Sequence, residues 1–258
     1  MRLYIHDSVK KSINKRFKDF IKVQVIYEDN HIIAVNKAGG EVVQSDKTGD
    51  DTLLDIVKQY LKEKYNKPGN VFLGLPHRLD RPTTGIVVLA KTSKILPRLN
   101  KLFQTRGEVK KIYWAVVDKR PPKHTETLTH YLVKNQERNR SYAYTEKQPN
   151  SKMASLTYRH VASIDRYHLL EIELHTGRHH QIRVQLRQLK LYIKGDIKYG
   201  FPRPNDDKSI HLHARRIDFL HPVKNEMITI IADPPDDVVW NEFMKMFSAG
   251  KFSPVNPV

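Results

Sequence analysis

Strand-type runs outnumber helical ones in this chain, and the two kinds do not alternate. IIAV (32–35), GIVVLAKT (85–92), KKIYWAVVDK (110–119), ASLTYRHVAS (154–163), HLLEIELHT (168–176), HLHARRIDFLHP (211–222) and MITIIADPP (227–235) are rich in β-branched and aromatic residues, with turn formers between them. Helical spacing is confined to DTLLDIVKQYLKEKY (51–65), KILPRLNKLFQT (94–105), RHHQIRVQLRQL (178–189) and a short segment near 236–248. In the first of these, apolar residues recur at 53, 54, 57, 60 and 61, and Asp51 or Thr52 can cap it. Without regular strand–helix alternation a parallel, doubly wound sheet is disfavoured. The pattern predicts an α+β fold: a mixed, mostly antiparallel central β-sheet with flanking helices and loops. Residues 134–152, KNQERNRSYAYTEKQPNSK, are polar and basic and read as a long loop that either touches RNA or is simply solvated.

Charge narrows the partners. Lys and Arg total 45 against 28 Asp and Glu, a formal net charge of +17. An excess of one sign on this scale favours a polyanion, nucleic acid before anionic membrane. No segment joins a strong apolar face to a basic one at helical spacing, and no run approaches the roughly 20 apolar residues of a membrane span. Residues 1–22 form a basic arm, in which Lys10, Lys11, Lys15, Arg16, Lys18 and Lys22 can reach phosphates or merely face solvent. That arm has no apolar core of a secretory signal, so a cytoplasmic protein is expected. With no cysteine, the chain has no disulfide, cysteine nucleophile or thiolate zinc site.

Three constellations carry possible chemistry: HRLDRPTTG (77–85), TGRHHQIR (176–183) and HLHA (211–214). His211 and His213 share a strand face as metal ligands do, and His179 or His180 could add a third, which would make a histidine-rich metal hydrolase. The commoner reading is structural or RNA-contacting histidines. There is no G-x-S-x-G elbow, no phosphate-cradling loop and no dinucleotide fingerprint. Asp80 stands between Arg78 and Arg81 and just before Pro82. It is either the acid of a salt-bridged turn or an ionised carboxylate positioned as a nucleophile. The residues alone leave these two readings open.

Several motifs, taken in order, resemble those of the RluA-type pseudouridine synthases over about residues 25 to 233. YEDNHIIAVNKAGG is similar to the family's first motif and HRLDRPTTGIVVLAKT to its catalytic loop. KIYWAVV, TGRHHQIRVQL and HLHARRIDFLHP are similar to the strands and helix that complete the site. The resemblance implies an isomerase that converts uridine to pseudouridine in structured ribosomal or transfer RNA, with the target base flipped out of its stack and no metal or nucleotide cofactor. It implies a single catalytic domain over 23–250, with two subdomains around a central cleft and no separate N-terminal RNA-binding domain. A monomer is expected, because the site needs no second chain.

By position, the resemblance makes Asp80 the nucleophile and has Tyr113 stack on the flipped base and help to remove its C5 proton. Arg183 would pair with Asp80, in preference to the flanking arginines. Arg78 would fill the space left by the extruded nucleotide, and Leu212 would line the uracil pocket. The chain departs from the family pattern at Ala38, Thr84, His179 and Gln185, of which the last two are expected near the site and bear on RNA preference. The alternative from another class is an RNA-binding protein that kept the fold and lost the activity; intact Asp80, Tyr113 and Arg183 speak against it.

Overall fold

The computed structural model describes residues 23–44 and 52–252, so the basic arm of residues 1–22 lies outside the described residues. Ten strands form one sheet: β1 (Gln24–Glu28), β2 (Ile32–Lys37), β3 (Thr84–Ala90), β4 (Val109–Val117), β5 (Thr125–Asn135), β6 (Arg140–Tyr144), β7 (Lys152–Ile164), β8 (Tyr167–Leu174), β9 (Leu212–Leu220) and β10 (Met227–Ile231). Their order is β1-β2-β3-β9-β4-β8-β7-β5-β6, with β10 also on β9. All pairs are antiparallel except β3 with β9. The helices are α1 (Leu53–Lys64), α2 (Leu96–Gln104), α3 (Gln181–Gln188) and α4 (Val238–Ser248). The mixed, mostly antiparallel α+β architecture read from the sequence is the one observed.

Strands β2 and β3 read as unbroken apolar runs because helices cover both of their faces. Leu53, Val57 and Leu61 of α1 pack on Ile33, Val35, Val87 and Leu89. On the other face, Leu99 of α2 joins Ile32, Ala34, Ile86 and Val88. Thr52 caps α1 in a reciprocal arrangement with Asp55. Farther along the sheet, α3 contributes Ile182 and Leu186 to a cluster with Leu156, Tyr158, Leu170 and Ile172. Trp240 and Phe243 of α4 bury Trp114, Val116 and Leu169 on the opposite side.

The parallel junction is short, with Thr84 opposite His213 and Gly85 opposite Ala214. It depends on a glycine. Gly85 has φ +109°, and a Cβ there would lie 2.4 Å from the Ala214 carbonyl oxygen and 2.6 Å from its nitrogen. A side chain must push two backbones apart while adopting a conformation L-residues avoid. Gly85→Ala is therefore expected to destabilise by at least about 2 kcal/mol in urea unfolding; an unchanged midpoint would contradict this account of the junction.

Residues 134–152 differ from the expectation. They are no long loop: β5 and β6 form a hairpin with Leu132 opposite Ala143, and Asn139 turns it at φ +43°. Only Leu128 and Leu132 of β5 and Ser141 of β6 are buried, so the period-two pattern is diluted by exposed polar residues. The α3 helix is also shorter than its spacing suggested. It begins at Gln181 because His180 sits in the left-handed region at φ +53°. No helix among the described residues is long and apolar enough to cross a membrane.

Candidate active site

Asp80 lies on the loop that leads into β3, and that loop is pinned from three sides. The Arg81 carbonyl accepts from the Gly40 N–H at 3.0 Å and from Lys37 Nζ at 3.0 Å. Ile210 N–H reaches the Pro82 carbonyl at 3.0 Å, and the Arg81 side chain bonds the Gly40 carbonyl. Lys37 is only 1% exposed and also donates to the carbonyls of Ala38 and Glu41. Burial pulls its ammonium down to about 8, against the opposing pull of the Glu41 and Asp80 charges. His77, at the start of the motif, is a neutral acceptor for the Val88 N–H at 2.9 Å and stacks on Phe103. Its burial, with Lys111 close by, holds it at about 3.

The partner of the Asp80 carboxylate comes from α3. Arg183 Nη1 donates to Asp80 Oδ2 at 3.2 Å, while its Nε and Nη2 grip Asp196 at 2.7 and 2.8 Å. The guanidinium is 5% exposed and Asp196 1%, so the pair is buried and one face of the fork is left to serve Asp80. Tyr199 packs on the guanidinium, with 5.0 Å from Cζ to the ring centroid. Among the described residues, neither Arg78 nor Arg81 forms an ion pair with Asp80. The bland reading of the motif, an acid bridged by its sequence neighbours, is therefore not what the structure holds.

His180 stands on the same side, with Nε2 3.7 Å from Asp80 Oδ2. Its Nδ1 meets the Tyr199 hydroxyl at 2.9 Å, and that hydroxyl accepts from the Ser141 N–H at 2.8 Å. Burial, reinforced by Arg183, keeps this imidazole neutral, at about 2. His179 stacks on it and ties the β5–β6 hairpin to the site through Asn139 and Ser141.

Asp80 opens into a cleft of about 830 Å³ whose lining includes Arg78, Tyr113, His179, Arg183 and Leu212. Tyr113, on β4, is paired across the sheet with Ile172 and Ala214. Burial, and then the negative charge of Asp80, push its phenol well above the usual tyrosine range. Leu212 is 3% exposed, where β9 enters the core. Arg78 is exposed and makes no hydrogen bond or ion pair among the described residues. The five residues singled out in the sequence thus all line one cleft.

Other expectations fare differently. Gln185 is not near the cleft surface: it is fully buried and donates to the carbonyls of Leu128 and Ala154, behind β5 and β7. The pair His211, just before β9, and His213, on it, is also spoken for. His211 bonds Asp237 and Asn205, and His213 bonds Thr84 and the Ala232 carbonyl. No group of three His, Asp or Glu side chains among the described residues is placed to hold a metal ion. Asp196, Tyr199 and Lys37 were missed by sequence reasoning, and His180 was named there only as a possible metal ligand. Only their tertiary setting distinguishes them, although an acid in KGDIKYG just after the arginine helix was a usable signal for Asp196.

Fold and comparison define an isomerase that acts on RNA. The family model described as RNA pseudouridylate synthase matches residues 31–188, and the chain belongs to that family. It is 30% identical over 247 residues to "Ribosomal large subunit pseudouridine synthase C" of Buchnera aphidicola, covering 93% of this chain and 75% of that one. It is 27% identical over 246 residues to "tRNA pseudouridine synthase C" of Vibrio parahaemolyticus, covering 88% and 96%. In fold it is similar to the solved structure of "Human RNA Pseudouridylate Synthase Domain Containing 4", with a TM-score of 0.73 at 22% identity over 95% of this chain and all of that one.

Proposed function

We propose that this chain isomerises one or more uridines to pseudouridine in structured ribosomal or transfer RNA, as a cytoplasmic monomer, with Asp80 as nucleophile. The catalytic unit spans residues 23–250, with two subdomains flanking the cleft. The observation that carries the reading is the Asp80–Arg183–Asp196 arrangement beside Tyr113. A buried guanidinium, itself neutralised by a second acid, holds the Asp80 carboxyl by one hydrogen bond beside the cleft.

In the reaction, the N1–C1′ bond of uridine breaks and a C5–C1′ bond forms. The C5 proton leaves and N1 takes one up, so no electrons are gained or lost overall. The base must first leave its stack, at a cost of a few kcal/mol. Arg78, exposed and planar, is suited to fill the vacated position. Leu212 provides an apolar wall for the uracil. Tyr113 is protonated in the free enzyme, partly because Asp80 is negative. Once Asp80 is bonded to the substrate that charge is consumed and one of the two causes holding the phenol up disappears. The phenol can then give up its proton more readily, to the N1 of the detached uracil that needs one, and the phenolate so formed accepts the C5 proton.

Incubating the purified chain with unmodified ribosomal and transfer RNA transcripts tests the reading. Mass analysis is expected to find pseudouridine in at least one of them, and its absence from both would count against the proposal. Binding to the same RNA should weaken with salt at a log–log slope of about −3 or steeper, the value for four or more phosphate contacts. A flat response in filter binding would contradict an electrostatic interface.

A further inference from the structure

Lys111 is a half-buried cation without a counterion. It lies on β4 two residues before Tyr113, so both side chains leave the same face of the strand, and both line the cleft. Among the described residues it has no hydrogen-bond acceptor and no carboxylate within ion-pair distance. Its ammonium lies over the Phe103 ring, whose centroid is 5.2 Å from Nζ. Phe103 is in turn stacked on His77 at 4.4 Å, the residue next to Arg78.

Two other inward-placed lysines show how this protein normally settles such a charge. Lys37 is ringed by three carbonyls, and Lys91 bonds Glu28 at 2.8 Å and the Asp29 carbonyl. Lys111 has neither arrangement. Its burial lowers the ammonium's affinity for its proton, and the aromatic face compensates only part of that loss.

We propose that Lys111, backed by Phe103, binds a phosphodiester group of the RNA strand flanking the target nucleotide. This rests on the RNA-modifying reading for its ligand, but its test does not require turnover. A phosphate at this point would hold the strand between Arg78 and Tyr113, so Lys111 sets where along the cleft a target uridine stops.

The test compares K111M and K111R with the wild-type chain, using RNA from a strain lacking the gene as the probe. K111M is expected to bind this RNA severalfold more weakly, with a salt slope shallower by about 0.7 to 1, and K111R to bind like wild type. Melting of free K111M is expected at or above the wild-type temperature, since an uncompensated charge has been removed. An unchanged affinity and slope in K111M overturns the proposal. If K111M melts lower, K111R decides: wild-type binding supports the phosphate contact, and a loss as large as that of K111M overturns it. Wild-type chain that binds RNA with the expected Lys111 dependence but forms no pseudouridine would sink the catalytic reading alone.

Discussion

Asp80→Asn is expected to abolish pseudouridine formation in single-turnover assays, by at least about 10⁴-fold, while leaving RNA affinity unchanged or slightly improved. The reason is geometric as well as chemical. Asparagine keeps the shape and can still accept from Arg183, but its amide oxygen is a far poorer nucleophile than a carboxylate. Asp80 contributes no attraction to phosphates, so removing its charge cannot weaken the electrostatic part of binding. The fold should survive. Arg183 retains its two bonds to Asp196, and the Asp80 side chain is 26% exposed, so the stability change should stay within about 1 kcal/mol. Residual turnover near the wild-type rate would show that another group attacks.

Asp196→Ala should be the more damaging change for the fold. Arg183 would keep a single bond, to Asp80, and a guanidinium that is 5% exposed would lose the partner that neutralises it. Breaking a buried pair from one side costs roughly 3–5 kcal/mol, because the remaining charge is left in a poorly solvated place. Turnover should fall as well, even at temperatures where the variant is folded, since Asp80 would then be drawn towards Arg183 as its sole counterion. Urea unfolding and single-turnover rates read the two effects separately. A stability loss without any change in rate would mean that Asp196 supports α3 alone and has no hold on the reactive carboxylate.

Much of the architecture could be read from side-chain order. β2 and β3 were visible because burial on both faces leaves unbroken apolar runs, and α1 because one face repeats at helical spacing. The β5–β6 hairpin was hidden for the opposite reason. Its strands face solvent over most of their length, and basic residues occupy positions where a core strand would alternate. At the site, the motifs pointed to Asp80, Tyr113 and Arg183, and the resemblance alone suggested that an acid and a base 103 positions apart would meet. The supporting groups could not be read that way. Lys37 looks like an ordinary turn residue in NKAGG until β3 and the Asp80 loop close over it. Asp196 and Tyr199 sit in a stretch without periodicity, and their importance comes from the guanidinium that the fold buries between them. Gln185 misled in the other direction, because two residues beyond Arg183 the helix has swung by about 200° and points into the core instead of the cleft.

The most direct test is pseudouridine mapping across all RNAs of a strain from which the gene has been deleted, complemented with either the wild-type chain or Asp80→Ala at matched protein levels. At least one pseudouridine in ribosomal or transfer RNA should vanish on deletion, return with the wild-type chain and stay absent with Asp80→Ala. Restoration of that site by Asp80→Ala would contradict the assignment of the nucleophile, and an unchanged map on deletion would contradict the function itself.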